Sequence, residues 1–279
     1  MPDRYAVIGN PIAHSKSPGI HAAFARSTGQ DIVYERLLAP LDGFRAAVAR
    51  FAAGGGRGLN VTTPFKRDAF DVAAATTERA KLAVAVNTLV RRGDAWHADN
   101  TDGVGLVRDL VANLGVDVRG RAIAILGAGG AVRGIVKPLF DAGAASITVS
   151  NRTMAKAEEI AAQFSRFGRV AAVAPDAFKG RGHAVVINAT SLGIGDAAVD
   201  AFPFDGSLVA TGAFAYDLNY SDAATPFMRW AREHGAARAC DGLGMLVEQA
   251  AESFALWRGV RPETGPVFAL LRPGARVAR

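Results

Sequence analysis

Arg121-Ala122-Ile123-Ala124-Ile125-Leu126-Gly127-Ala128-Gly129-Gly130-Ala131 decides the fold. Ala122–Leu126 is a short apolar run with the composition of a buried strand, and a helical pattern follows over Gly129–Ala142. Strand, glycine turn and helix in that order form a dinucleotide-binding unit. Gly127 makes a turn that side chains would obstruct. Gly129 lets backbone approach a pyrophosphate, and the helix presents free N–H groups and its positive dipole end to the phosphates. The third position of the strict G-x-G-x-x-G pattern is Val132, so this helix must pack on its strand differently in detail.

The next strand, Ile147–Ser150, runs into Asn151-Arg152-Thr153, with Lys156 one turn further on. Enzymes that use NAD place Asp or Glu at this strand end for the ribose 2′-hydroxyl. None stands here. Arg152 offers a planar donor fork suited to a 2′-phosphate, and Thr153 can cap its helix or bind a phosphate oxygen. The expected cofactor is therefore NADP (NADPH). Gly54-Gly55-Gly56, lacking such flanks, reads as a loop.

Outward from this core the chain alternates short apolar strands with amphipathic helices, an α/β arrangement. Before it, Tyr5–Ile8, Val33–Leu37, Gly58–Val61 and Val86–Val90 read as strands, and Pro18–Thr28 and Leu41–Ala53 as helices. After it come strands at Val170–Ala174, Val185–Asn188 and Phe214–Leu218 and a helix at Thr153–Phe164. Thr101–Leu114 reads as a helix joining two halves, and Leu243–Arg258 and Glu263–Leu271 as C-terminal helices.

The chain has 279 residues, half of them hydrophobic, which is enough for two packed domains. No stretch approaches the ~18 apolar residues of a spanning helix. The apolar run Tyr5–Ile8 stops at Gly9-Asn10-Pro11, too short for a secretory signal, so a cytoplasmic protein with no membrane partner is expected. A single cysteine, Cys240, excludes an internal disulfide and a multi-thiolate metal site, and reads as a small packed residue. His14, His21, His97, His183 and His234 form no metal-binding pair, so no metal is expected. The net charge of +6 is spread along helices without blocks or interleaved aromatics. It suits the steering of small anions better than nucleic acid.

The first ~100 residues carry polar clusters that packing does not require. His14-Ser15-Lys16-Ser17-Pro18 sets two hydroxyls at alternate positions before a helix start, which suits a carboxylate. Asn60-Val61-Thr62-Thr63-Pro64-Phe65-Lys66 follows a strand, Asn87-Thr88 lies in another, and Asp99-Asn100-Thr101-Asp102 opens the connecting helix. A lysine, an aspartate and two asparagines at element ends make a pocket for a small hydroxy acid. Taken alone, each also has an ordinary reading, Lys66 as a surface lysine and a serine as an N-cap.

With these segments together, the sequence resembles the shikimate dehydrogenase family along nearly its whole length. Gly9–Pro18, Asn60–Lys66, Ala85–Leu89, Asn100–Gly103, Gly127–Ala131, Asn151–Thr153, Asn188–Ser191, Tyr216–Tyr220 and Asp241–Gln249 carry the resemblance, in family order. It implies a two-domain α/β protein: a discontinuous substrate domain (1–103 plus 240–279), a Rossmann-type doubly wound NADP-binding domain (104–239), and an active site in the cleft between them. It implies NADPH-dependent reduction of 3-dehydroshikimate to shikimate, on the route to chorismate and the aromatic amino acids. Residue by residue it makes Lys66 and Asp102 the catalytic pair and Ser15, Ser17 and Tyr220 the carboxylate anchors. Asn60, Thr62, Asn87 and Gln249 hold the ring and its hydroxyls. Gly127, Ala128, Gly129, Gly130 and Ala131 hold the pyrophosphate, and Asn151, Arg152, Thr153 and Lys156 the adenosine phosphate. Glu78, Leu218 and Gly242 lie near the cofactor. A homodimer is compatible with all of this. Val84 stands where a glycine commonly precedes Ala85-Val86-Asn87-Thr88, and Thr63 where an aliphatic residue is common.

Two other readings are kept in view: an NAD-preferring quinate/shikimate dehydrogenase, and a catalytically silent dinucleotide-binding module. The first is opposed by Arg152 at the cofactor-selecting strand end. The second is opposed by the retention of Lys66, Asp102 and every anchoring group.

Overall fold

The computed structural model describes residues 1–178, 182–192 and 202–272; residues 273–279 of the expected C-terminal segment lie outside the described residues. The chain divides into two compact units, Met1–Gly105 together with the chain from Leu246, and Leu106–Met245. The boundaries fall inside helices, so the chain passes from one unit to the other without a linker.

The first unit begins β1 (Asp3–Gly9), α1 (Ser17–Thr28), β2 (Ile32–Leu38), α2 (Phe44–Ala53) and β3 (Gly56–Val61). It continues α3 (Asp68–Asp71), β4 (Ala75–Thr76), α4 (Glu78–Ala83), β5 (Thr88–Arg92) and β6 (Ala95–Asp99). Helix α5 (Asp102–Arg108) leads out and continues as a π-helical turn, Asp109–Asn113. The second unit holds β7 (Ala122–Leu126), α6 (Gly130–Asp141), β8 (Ser146–Ser150), α7 (Met154–Phe164) and β9 (Arg169–Val173). Strands β10 (His183–Asn188) and β11 (Val209–Asp217), helix α8 (Pro226–Glu233) and strand β12 (Arg238–Cys240) complete it. Helices α9 (Leu243–Arg258) and α10 (Gly265–Leu271) follow.

The first sheet has the order β2-β1-β3-β5-β6-β4. Strands β1, β2 and β3 are parallel, whereas β5 pairs antiparallel with both β3 and β6. This mixed register brings the C-terminal end of β3, the start of β5 and the end of β6 to one edge, with Asn60 opposite Thr88 and Thr88 opposite Asp99. Apolar packing on Leu59, Phe65 and Leu89, all wholly buried, fixes that edge. In the same unit α9 is bound to α1 through Ile20, Phe24, Val247, Ala250 and Phe254.

The second sheet is wholly parallel with the order β12-β11-β10-β7-β8-β9. The chain order reverses between β7 and β10, and ligands in open α/β sheets bind outside the carboxyl ends of strands at such a switch point. Val132 is wholly buried, so a full side chain fills the helix–strand contact that the strict motif leaves to glycine.

Candidate active site and dinucleotide site

Lys66 leaves the turn after β3. Its neighbour Phe65 is wholly buried and stacks on Phe44 at 5.0 Å, which pins the turn. The Lys66 carbonyl accepts the Val86 N–H at 2.8 Å, and the Asn87 N–H donates to the Asp99 carbonyl at 3.1 Å. Three segments far apart in sequence thus converge. Lys66 Nζ donates to Asp102 Oδ2 at 2.6 Å, and Asn87 Nδ2 donates to Asp102 Oδ1 at 2.7 Å. Asn87 Nδ2 also lies 3.1 Å from Gln249 Oε1, on α9. Asp102 is the first residue of α5, with its N–H held by Asn100 Oδ1 at 3.1 Å. The Asp102 side chain is 10% exposed and that of Lys66 33% exposed. A carboxylate held on both oxygens therefore orients an ammonium whose other hydrogens are open to a ligand.

At the start of α1, Ser15 Oγ accepts the Ser17 N–H at 3.3 Å, and Ser17 is the first residue of the helix and buried. Thr62 is half-buried, with its Cγ2 against the backbone of Gly9. Asn60 is buried with its amide engaged inside the unit. Its Oδ1 accepts from Tyr34 Oη at 2.7 Å and faces His21 Nε2 at 3.1 Å, while its Nδ2 donates to Ser253 Oγ at 3.0 Å. Burial pushes the His21 imidazole down to about 3, so it is neutral. Glu78 opens α4 and is exposed.

In the second unit Gly127 has φ +104°, and a Cβ there would stand 2.9 Å from the Ala189 carbonyl oxygen and 3.1 Å from Thr190 N. Both the left-handed backbone and the approach of the β10 end demand glycine. Beyond it, Gly129 and Gly130 border open space, with no atom within 4 Å of a built Cβ. Gly130 opens the twelve-residue helix α6. Room above bare backbone at a helix N-terminus is what a pyrophosphate needs, so these residues fit the dinucleotide. Strand β8 ends at Ser150; Asn151 Nδ2 then donates to the Thr153 carbonyl at 2.9 Å, leaving Arg152, Thr153 and Lys156 exposed along the start of α7. No carboxylate occupies that strand end. The Leu218 carbonyl oxygen stands 2.3 Å from where a Gly242 Cβ would be, so these two segments touch through backbone alone. Tyr220 lies in the exposed loop after β11.

Several supporting groups escape a reading of the sequence. Asp99 is buried and accepts from Arg79 Nε at 2.6 Å and from Thr77 Oγ1 at 2.7 Å, which fixes the strand end leading to Asp102. Thr101 N–H donates to Asn87 Oδ1 at 2.8 Å. In the second unit Asp217 accepts from Asn188 Nδ2 at 2.9 Å and from Thr225 Oγ1 at 2.6 Å. Burial still outweighs these bonds and raises its pKa. Only the family motifs around Asn188 and Asp217 hinted at this. Burial likewise pushes the half-buried Cys240 thiol up. Among the described residues no group of His, Cys, Asp and Glu is placed to hold a metal ion, and no helix is long and apolar enough to cross a membrane.

Residues 7–89 match the family model of the shikimate dehydrogenase substrate binding domain. Residues 109–190 match that of shikimate/quinate 5-dehydrogenase, and residues 242–271 that of the shikimate 5'-dehydrogenase C-terminal domain. The chain is 55% identical over 272 residues to the shikimate dehydrogenase (NADP(+)) of Thioalkalivibrio sulfidiphilus, covering 97% of this chain and 98% of the relative. Among solved structures it is similar to an Ael1 enzyme from Pseudomonas putida, at TM-score 0.91 and 45% identity over 96% of this chain and 98% of the other. It is also similar to the shikimate 5-dehydrogenase of Thermus thermophilus in complex with NADP(H) and shikimate, at TM-score 0.84 and 34% identity over 94% and 95%.

Proposed function

The chain belongs to the shikimate dehydrogenase family, and from that premise we propose which of its groups carry the reaction. It is an NADP-dependent oxidoreductase acting on a CH–OH group, and its reaction is the reversible reduction of 3-dehydroshikimate to shikimate. The observation that supports the assignment of roles is the 2.6 Å contact of Lys66 Nζ with Asp102 Oδ2, at a lysine still open to a ligand.

When bound, NADPH supplies the hydride that the ketone carbon accepts. Lys66 then meets the negative charge that grows on the ketone oxygen and holds the proton that the new alkoxide takes. In the oxidative direction Lys66 takes that proton back. Asp102 orients the ammonium and keeps it from turning to solvent, and Asn87 fixes Asp102. Ser15 and Ser17 anchor the substrate carboxylate, and Tyr220 keeps the same role on its motif. Thr62, Asn87 and Gln249 set the ring hydroxyls, and Asn60 sets the groups around them. The segment Gly127–Ala131 holds the pyrophosphate at the α6 N-terminus. Arg152 with Thr153, Asn151 and Lys156 holds the 2′-phosphate, which favours NADP over NAD. Leu218, Gly242 and Glu78 complete the cofactor surroundings. The residues 1–103 plus 240–279 serve the substrate and 104–239 the dinucleotide. We place the work in the cytoplasm, and a homodimer is compatible with this assignment of roles.

Steady-state kinetics of Lys66→Ala test the assignment. A kcat lowered about 10²–10⁴-fold with the KM for shikimate little changed is expected; a near-normal kcat would remove Lys66 from the reaction.

A further inference from the structure

We propose that Arg79 is a positioning residue for substrate binding: through Glu252 it sets where α9 lies along the end of β6, and so brings Gln249 to Asn87. This rests on the role of Gln249 in setting the ring hydroxyls. Arg79 Nε and Nη2 donate to the two carboxylate oxygens of Asp99 at 2.6 and 2.8 Å. Its Nη1 and Nη2 both reach Glu252 Oε1 at 3.3 Å. Asp99 ends β6, three residues before Asp102, and Glu252 stands on α9, three residues after Gln249. One guanidinium therefore joins the strand that leads to Asp102 to the helix that carries Gln249.

Both ends of this clamp are themselves fixed. Asp99 Oδ1 also accepts from Thr77 Oγ1 at 2.7 Å and from the Asn100 N–H at 2.7 Å. On α9, the second oxygen of Glu252 accepts from Arg261 Nη1 at 2.7 Å, and Arg261 Nη2 donates to Glu248 Oε2 at 2.8 Å. Thr264 Oγ1 donates to Glu248 Oε1 at 2.7 Å. The side chains of Asp99 and Glu248 are only 7% and 3% exposed. Charges so placed are held to their partners, because separating a buried pair leaves an uncompensated charge.

Apolar packing does not make this choice of position. Helix α9 lies on α1 through Val247, Ala250 and Phe254, and such burial is non-directional. A guanidinium fork on a carboxylate has one geometry. Position matters at Gln249, whose Oε1 lies 3.1 Å from Asn87 Nδ2, while that nitrogen lies 2.7 Å from Asp102 Oδ1. A slip of α9 by about 1 Å takes Gln249 out of hydrogen-bond reach and leaves Asn87, Asp102 and Lys66 in place. Loss of the clamp thus acts on substrate binding before it acts on the chemical step.

Glu252→Ala cuts the α9 arm and leaves both arginines paired, Arg79 with Asp99 and Arg261 with Glu248. Arg79→Lys keeps a charge beside Asp99 but cannot span both carboxylates. Each is made alone and together with Gln249→Ala, and steady-state kinetics are read for shikimate and for NADP. Each single variant is expected to raise the KM for shikimate about 3–10-fold, the size of one hydrogen bond, with kcat within about 2-fold and the KM for NADP unchanged. Neither adds to the loss in Gln249→Ala, because both act through Gln249. An unchanged KM for shikimate, an equal rise for NADP, a fall in kcat at constant KM, or losses that add to that of Gln249→Ala would each reduce the network to a structural ion pair and overturn the proposal. A KM unchanged in Gln249→Ala itself would overturn it by another route, removing the role on which it rests.

Discussion

Asn87 Nδ2 lies 2.7 Å from Asp102 Oδ1, on the carboxylate oxygen that Lys66 does not take. Each oxygen of Asp102 therefore faces a group with only hydrogens to offer, one neutral and one cationic. In Asp102→Asn the new amide must turn its NH₂ toward either Lys66 or Asn87, and a donor then meets a donor. The ammonium loses its orientation. The expected result is a kcat about 10²–10³-fold lower with the fold retained, read by steady-state kinetics beside circular dichroism. A kcat within a factor of about three would show that Asp102 does not orient Lys66.

The stretch Arg121–Ala131 was legible because a glycine turn between a strand and a helix has few alternative structures, and Gly127 with φ +104° shows why glycine stands there. Local apolar patterns misled at element ends. The reading started α2 at Leu41, but that side chain is exposed and Pro40–Gly43 form a turn closed by a 2.9 Å bond, so the helix starts at Phe44. The stretch Asp99–Asp102, read as opening a helix, is the end of β6 followed by the start of α5, and strand β6 itself went unread. Helix α8 carried a signal, Thr225 before Pro226, whose hydroxyl accepts the Met228 N–H at 3.2 Å. Gly56, read as loop, opens β3. Tyr34 and His21 look like ordinary members of a strand and a helix. Both meet Asn60, which also reaches Ser253, 193 residues away in sequence, a convergence that no local pattern encodes.

Val84 bears on stability. It closes α4 at φ 49°, ψ 35°, the left-handed conformation in which a Cβ meets the following carbonyl oxygen and a β-branched side chain is worst placed. The residue is 42% exposed, so little packing holds it there. Val84→Gly should stabilise the first unit by about 1 kcal/mol, the relief of about 1–2 kcal/mol of strain less the extra chain entropy of glycine. Urea unfolding reads this as a higher midpoint at unchanged slope. Val84→Ala keeps a Cβ and should gain much less; a midpoint lowered in Val84→Gly would show that the isopropyl group packs more than it strains.

Arg152 is exposed at the end of β8, where no carboxylate stands. Its guanidinium is assigned to a phosphate that NADP has and NAD lacks. Arg152→Ala should therefore raise the KM for NADP about 10-fold and leave the KM for NAD within about 2-fold, since one charge-assisted hydrogen bond is worth about 1.5–3 kcal/mol before solvent screening. Equal changes for the two cofactors would move the 2′-phosphate elsewhere.

His21 gives the first unit a pH dependence of known sign. Its imidazole titrates at about 3 in the folded chain against an ordinary 6.5, because burial disfavours the cation more than the Asn60 contact favours it. Between those values the unfolded chain binds the proton and the folded chain does not. Stability is then full above about pH 6.5 and falls as the solution is acidified toward 3, by at most about 1.4 kcal/mol per pH unit from this one group. His21→Gln keeps a donor for Asn60 and removes the titration. It is less stable near neutrality, having lost the ring packed against Tyr34, but its stability should decline less steeply between pH 6.5 and 4 than that of the parent. Unfolding midpoints of both proteins across that range give the comparison, and their difference cancels the carboxylates that titrate in each, Asp3 and Asp217 among them. Parallel curves would mean that His21 takes up its proton in the folded chain as readily as in the unfolded one, and that the donor to Asn60 is not the neutral tautomer.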